Sequence, residues 1–144
     1  MSEVIALGSD HGGVGLKDII KEHLEQKGLT VLDCGTQGDE SVDYPDFAEA
    51  VVKTILKGDA PRGILVCGTG IGISIKANRY KGIRAAVVHS SFTAEMAKAH
   101  NNANVLCLGQ RVTGIEDACR YVDIWMNTKF EGGRHQGRLD KLDA

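Results

Sequence analysis

Five short apolar runs, each followed by a segment with helical spacing, limit this chain to very few folds. The runs cover 4–8, 30–32, 64–66, 83–88 and 105–108. They are apolar at successive positions rather than at every second one, as strands are when both faces of a parallel sheet are covered. After the first run, Leu16, Ile19, Ile20 and Leu24 recur at helical spacing, and after the second Phe47, Val51 and Ile55 share one helical face. Gly28 and Gly58 close these two helices, and Pro45 suits the first turn of the second. Residues 73–80 and 91–99 read as helices, the latter capped by Ser90 or Ser91. Ile115, Ala118, Cys119, Val122 and Met126 form the stripe of a longer helix. The alternation predicts an α/β fold: a three-layer, Rossmann-like open parallel sheet of five strands with helices on both faces. At 144 residues the chain reads as one domain, 1–144, with a basic and then weakly helical tail from 131 onward.

Open sheets of this kind bind ligands outside the carboxyl ends of their strands. Here those ends carry Asp10 and His11, Cys34, residues 67–72, His89 and residues 109–111. The net charge of -2 supplies no general attraction to nucleic acid or to an acidic membrane. No apolar run approaches the roughly 18 residues of a membrane span. Residues 1–8 lack a basic region and a long apolar stretch, so no signal peptide is expected. The four cysteines form no Cys-x-x-Cys pair and suit free thiols in a reducing cytoplasm. Cys34, Cys107 and Cys119 read as small core residues.

Cys67 differs from the other three, because Gly68, Gly70 and Gly72 follow it at every second position. A thiol where a strand gives way to a glycine-lined helix N-terminus meets unpaired N–H groups and the positive end of a helix dipole. That setting stabilises a thiolate and can hold an oxyanion. The spacing is not the Gly-x-Gly-x-x-Gly of dinucleotide folds, and it follows the third strand rather than the first. Asp10-His11 suits proton transfer or anion contact, or equally a helix cap with an exposed histidine. His100-Asn101-Asn102 suits a helix C-cap. Arg134 and Arg138, four apart beside Gly132-Gly133, make a phosphate clamp or a solvated basic tail, with Arg111 a third candidate. A thiol base, a histidine acid, an oxyanion loop and an arginine cluster together suit proton abstraction beside a carbonyl on a small phosphorylated molecule.

The motifs Ser9-Asp-His-Gly-Gly13, Asp43-Tyr-Pro45, Cys67-Gly-Thr-Gly-Ile-Gly72, Lys76-Ala-Asn78, His100-Asn101, Leu108-Gly-Gln-Arg111 and Glu131-Gly-Gly-Arg-His135 occur in this order. In them the chain closely resembles type B ribose-5-phosphate isomerases of the ribose/galactose isomerase family, from about Val4 to Arg138. The resemblance implies interconversion of ribose 5-phosphate and ribulose 5-phosphate, a step of the non-oxidative pentose phosphate pathway, with no cofactor and no metal. It makes Cys67 the base and His100 the acid that opens the sugar ring, with Thr69 and Asp10 assisting. It places Asp10, His11, Tyr44, Gly68, Thr69, Gly70, Ile71, Gly72, Asn101, Arg111, Arg134 and Arg138 around the substrate. One branch of the family uses a glutamate six positions after the cysteine; Ile73 stands there, which points to the cysteine branch. Relatives assemble as homodimers or dimers of dimers with shared sites, and some act on allose 6-phosphate or galactose 6-phosphate. A non-catalytic sugar-phosphate sensor, or a metal-dependent isomerase using His11, Cys67 and His100, would carry many of the same residues.

Overall fold

The computed structural model describes residues 3–144; residues 1 and 2, on which part of the signal-peptide reading rests, lie outside the described residues. Strand and helix alternate as β1 (Val4–Ser9), α1 (Val14–Gln26), β2 (Thr30–Asp33), α2 (Tyr44–Leu56), β3 (Arg62–Cys67), α3 (Ile71–Ala77), β4 (Ala85–Val87), α4 (Ser91–Ala99), β5 (Val105–Gly109), α5 (Ile115–Asn127) and α6 (Arg134–Asp143). The strands form one parallel sheet in the order β2-β1-β3-β5-β4.

Successive side chains of a strand point to opposite faces, so each apolar run serves two cores. Ile5, Leu7, Ile64, Val66, Leu106 and Leu108 pack with Leu16, Ile20, Leu24, Ala94, Val122 and Trp125 on the face covered by α1, α4 and α5. Ala6, Leu65, Cys67, Val105 and Cys107 pack with Val51, Val52, Ile73 and Ala77 on the face covered by α2 and α3. Cys107 is completely enclosed there, and burial pushes its thiol far above the ordinary range. Trp125 is fully buried and its indole N–H donates to the Ala103 carbonyl at 3.0 Å, satisfying the one polar atom that burial would leave exposed to loss.

Several local expectations are corrected. The edge strand β2 is not covered on both faces: its residues alternate between exposed and half-buried, because it lacks an outer neighbour. The other edge, β4, is shorter than the apolar run 83–88. The Ile83 N–H closes a turn onto the Tyr80 carbonyl and the Arg84 N–H goes to Asn104 Oδ1, so the ladder starts only at Ala85. Helix α3 begins at Ile71 rather than Ile73 and ends at Ala77 rather than Tyr80, since Gly70 turns the chain at φ 82° and its carbonyl already accepts the Ser74 N–H. Ser90, not Ser91, caps α4, in a reciprocal capping box with Thr93. The tail is a regular helix, α6, docked through buried Leu139 and through Asp143, which pairs with Arg84 at 2.9 Å.

Below the first crossover lies a buried ion pair. Lys17 is fully enclosed and its ammonium donates to both oxygens of Asp33, at 2.9 and 2.8 Å, and to Gln37 Oε1 at 3.3 Å. Burial alone would raise the Asp33 carboxyl. Hydrogen bonds from Lys17 and the Gly35 N–H, with the Lys17 charge, outweigh it and hold that carboxyl below its usual value.

Candidate active site

The candidate residues fall into two groups at opposite ends of the sheet. The first group lies at the carboxyl ends, in the crevice between β1 and β3. From β1 the chain steps outward to β2 and then returns to β3 on the other side, which opens a cleft at that point. The Asp10 carboxylate accepts the Gly12 N–H at 2.9 Å, capping a short 3-10 turn, His11–Gly13. His11 Nδ1 accepts the Val42 N–H at 3.1 Å, which leaves the ring's proton on Nε2 when it is neutral. The loop after β3 folds back on its own strand. Cys67 is only 5% exposed, and its Sγ accepts the Gly70 N–H at 3.1 Å. Gly70 presents that N–H because it adopts φ 82°, and a Cβ there would stand 3.0 Å from the Leu108 carbonyl carbon.

Around this thiol the loop is tightly furnished. Thr69 Oγ1 accepts the Ile71 N–H at 3.2 Å. Tyr44, at the start of α2, lies so close over Gly72 that a Cβ would come within 2.6 Å of its ring. Arg111 donates its backbone N–H to the Gly68 carbonyl at 3.0 Å, and its side chain runs along Gly68. The Gln110 N–H donates to the Cys67 carbonyl at 2.9 Å, while its side-chain oxygen accepts the Leu16 N–H at 2.9 Å and so ties the start of α1 to the same loop. Thus Asp10, His11, Tyr44, Cys67, Gly68, Thr69, Gly70, Ile71, Gly72 and Arg111 do converge.

The second group lies at the amino ends. Helix α4 runs antiparallel to the strands, so its C-cap, His100, emerges beside the start of β5 rather than its end. Asn102 continues the turn at φ 45°, a conformation asparagine tolerates. The Glu131 N–H donates to the Ala99 carbonyl at 2.9 Å, which brings α6 alongside. The His135 ring stacks on His100 with centroids 4.3 Å apart and 17° between planes. Glu131 Oε1 lies 3.7 Å from His100 Nε2 and 3.4 Å from His135 Nε2. Burial, then the charges of His100 and Arg134, lower the His135 pKa against the pull of Glu131. Asn101 is exposed and gives its carbonyl to Arg84, and Arg134 and Arg138 are exposed on successive turns of α6.

The length of β5 separates the two groups, on the order of 15 Å at the usual rise per strand residue. Within one chain Cys67 therefore does not meet His100, and Arg111 does not join Arg134 and Arg138 in a single clamp. The trio His11, Cys67 and His100 is likewise divided. A cleft of about 780 Å³ opens at the amino ends, lined by Arg62, Arg84, Lys98 and Asn102. Its guanidinium groups are already engaged, Arg62 by Glu3 and Arg84 by Asp143. Glu131 and His135 were given no role from sequence. Their four-residue spacing was a visible signal, but their contact with His100 depends on how α6 docks.

A thiol fixed by a backbone N–H stands at the switch point of an open parallel sheet, with a separate histidine and arginine group, in a small α/β protein. The match to known proteins is specific. The model of the Ribose/Galactose Isomerase family matches residues 5–142. Ribose-5-phosphate isomerase B of Escherichia coli K12 is 46% identical over 140 residues, covering 97% of this chain and 94% of that one. The structure of a ribose 5-phosphate isomerase from Thermotoga maritima superposes with a TM-score of 0.97 at 50% identity, covering 99% of both chains. Ribose-5-phosphate isomerase B of Mycoplasma genitalium, solved with bound ribulose-5-phosphate, superposes at 0.94 with 46% identity, covering 99% of this chain and 95% of that one. The chain belongs to the ribose/galactose isomerase family. Among the described residues no helix is long and apolar enough to cross a membrane.

Proposed function

We propose that this chain interconverts ribose 5-phosphate and ribulose 5-phosphate, with each site built from the Cys67 group of one copy and the His100 group of a second. The observation that carries the chemistry is the Gly70 N–H directed at Cys67 Sγ at 3.1 Å. That hydrogen bond holds Sγ at the head of the glycine loop, where a thiol that takes and returns a proton must stand. The observation that supports shared sites is the division of the acid and the arginines from the base. A homodimer, or a dimer of such dimers, brings them together through one twofold operation.

In this reading His100 protonates the ring oxygen as its bond to C1 breaks, the C1 hydroxyl releases its proton to solvent, and the open-chain aldehyde forms. The Cys67 thiolate removes the proton on C2, the C2 electron pair forms the enediolate double bond, and negative charge moves to O1. The Gly70 and Ile71 N–H groups are engaged by Sγ and by Thr69, so the charge falls to the remaining loop donors, including Thr69 and Gly72. The O2 hydroxyl proton passes to O1, and Cys67 returns its proton to C1 as the C2 ketone forms. Arg111 from one copy and Arg134 and Arg138 from the other hold the phosphate, and Asp10, His11, Tyr44 and Asn101 orient the sugar. All of this uses groups of the chain itself and no cofactor. Four free cysteines suit a reducing cytoplasm.

The test is Cys67→Ala. Turnover of ribose 5-phosphate should vanish while calorimetry still detects sugar-phosphate binding, and wild-type product formed in deuterium oxide should carry deuterium at C1. Near-normal turnover by the variant would remove Cys67 from the mechanism. Wild-type protein that binds ribose 5-phosphate but forms no ketose would make the chain a sensor.

A further inference from the structure

We propose that His100, Glu131 and His135 form a binding site for a borderline divalent cation of the zinc type. It would be an inhibitory site and not a cofactor site. The three ligand atoms lie within 4.8 Å of one another. In a tetrahedral zinc site with bonds of about 2.0–2.2 Å, neighbouring ligand atoms stand about 3.3–3.6 Å apart. The separations of 3.4 and 3.7 Å from Glu131 Oε1 to the two Nε2 atoms already approach that edge.

A second observation is independent of the cluster. His135 is 5% exposed, and its buried Nε2 has no hydrogen-bond partner. A buried ring nitrogen without a partner is disfavoured by its lost hydration, and an ion on its lone pair would remove that penalty. The backbone builds the arrangement around it. Glu131 is pinned by its N–H on the Ala99 carbonyl, and the His135 N–H closes onto the Gly132 carbonyl. The stacked rings lie in nearly parallel planes, so bringing both Nε2 lone pairs onto one ion requires one ring to tilt. His100, with a side chain 38% exposed against 6% for His135, has the room to do so. Two imidazoles and a carboxylate, with an open side for water, suit Zn²⁺ and Co²⁺ rather than Mg²⁺ or Ca²⁺.

Because the ion would occupy His100 Nε2, ion and sugar phosphate should exclude each other; this consequence rests on the ring-opening role proposed above. Co²⁺ serves as the probe on chelator-treated full-length protein. One equivalent per chain should give the strong visible bands of a four- or five-coordinate ion, without the near-ultraviolet charge-transfer band of a thiolate ligand. Glu131 is more than half exposed, so Glu131→Gln should fold normally, as a thermal melt would verify, and should weaken Co²⁺ binding about tenfold or more. Cys67→Ser should bind as wild type does. Absence of saturable binding, equal affinity in Glu131→Gln, or loss of the site in Cys67→Ser would overturn the proposal. Co²⁺ that binds as expected but leaves turnover unchanged would overturn the inhibitory character of the site, and with it the role of His100.

Discussion

Mixing two inactive variants tests the divided geometry directly. Cys67→Ala lacks the base and His100→Ala the acid, and loss of one general acid or base typically lowers turnover by about 10²–10⁴. Each parent should therefore retain about 1% of wild-type activity or less. When subunits of the two reassort at random, about half of the dimers are mixed. In a mixed dimer the Cys67 of one chain meets the His100 of the other, so one of its two sites is intact and the second lacks both groups. The expected recovery is about a quarter of wild-type turnover, far above either parent. If base and acid came from the same chain, no assortment would create an intact site and nothing would be recovered. The assay is coupled detection of ribulose 5-phosphate after the variants are mixed and allowed to exchange, with a tag on one chain so that native mass spectrometry counts the mixed dimers. Mixed dimers at the expected proportion, with turnover no higher than the parents, would refute the shared site. The structural basis is that α4 and α5 both descend to the amino ends of the sheet, while Cys67 ends β3 at the other.

Gly70→Ala places a Cβ 3.0 Å from a backbone carbon and holds alanine at φ 82°, a conformation unfavourable by about 1–2 kcal/mol. Relief moves the N–H away from Sγ, so kcat should fall about tenfold with KM little changed, read from steady-state kinetics. Asp33→Asn takes the two-oxygen partner from the enclosed Lys17 ammonium and leaves it only the exposed Asp18 carboxylate at 3.3 Å, which should destabilise the fold by about 3 kcal/mol at pH 7 in a urea titration at fixed protein concentration. Because the folded carboxyl is lowered, wild-type Asp33 binds fewer protons folded than unfolded. Its contribution is complete above the ordinary aspartate value near 4 and is lost as pH falls through the folded value, so the gap between wild type and variant should narrow only below about pH 4.

Much of the fold was legible because it is written locally. A run such as Ile64-Leu-Val66 buries on both faces whatever its neighbours, and the helices between runs carry their own stripes and glycine stops. The carboxyl-end rule led to Asp10, His11, Cys67 and Arg111 for the same reason: each stands at the end of a strand or within two residues of it. Edges were less legible, since β2 and β4 are short or half exposed according to what lies beside them. Strand order was not legible at all, because parallel crossovers leave no trace in local periodicity. The positions at the other end did not come from that rule; Arg134 and Arg138 came from their four-residue spacing and the ring-opening role of His100 from resemblance, and the structure explains why: they lie where the rule does not look.

The sequence by itself determined the strand–helix alternation, the parallel sheet, the thiol in a glycine loop and the family. These depend on contacts between near neighbours and on motifs a few residues long. Only the tertiary structure decided that Gly70 aims its N–H at Cys67, that Glu131 and His135 gather on His100, and that Cys67 and His100 stand at opposite ends of the sheet. A backbone dihedral, the docking of a terminal helix and the direction in which α4 runs all arise from long-range packing, and no run of residues encodes them alone.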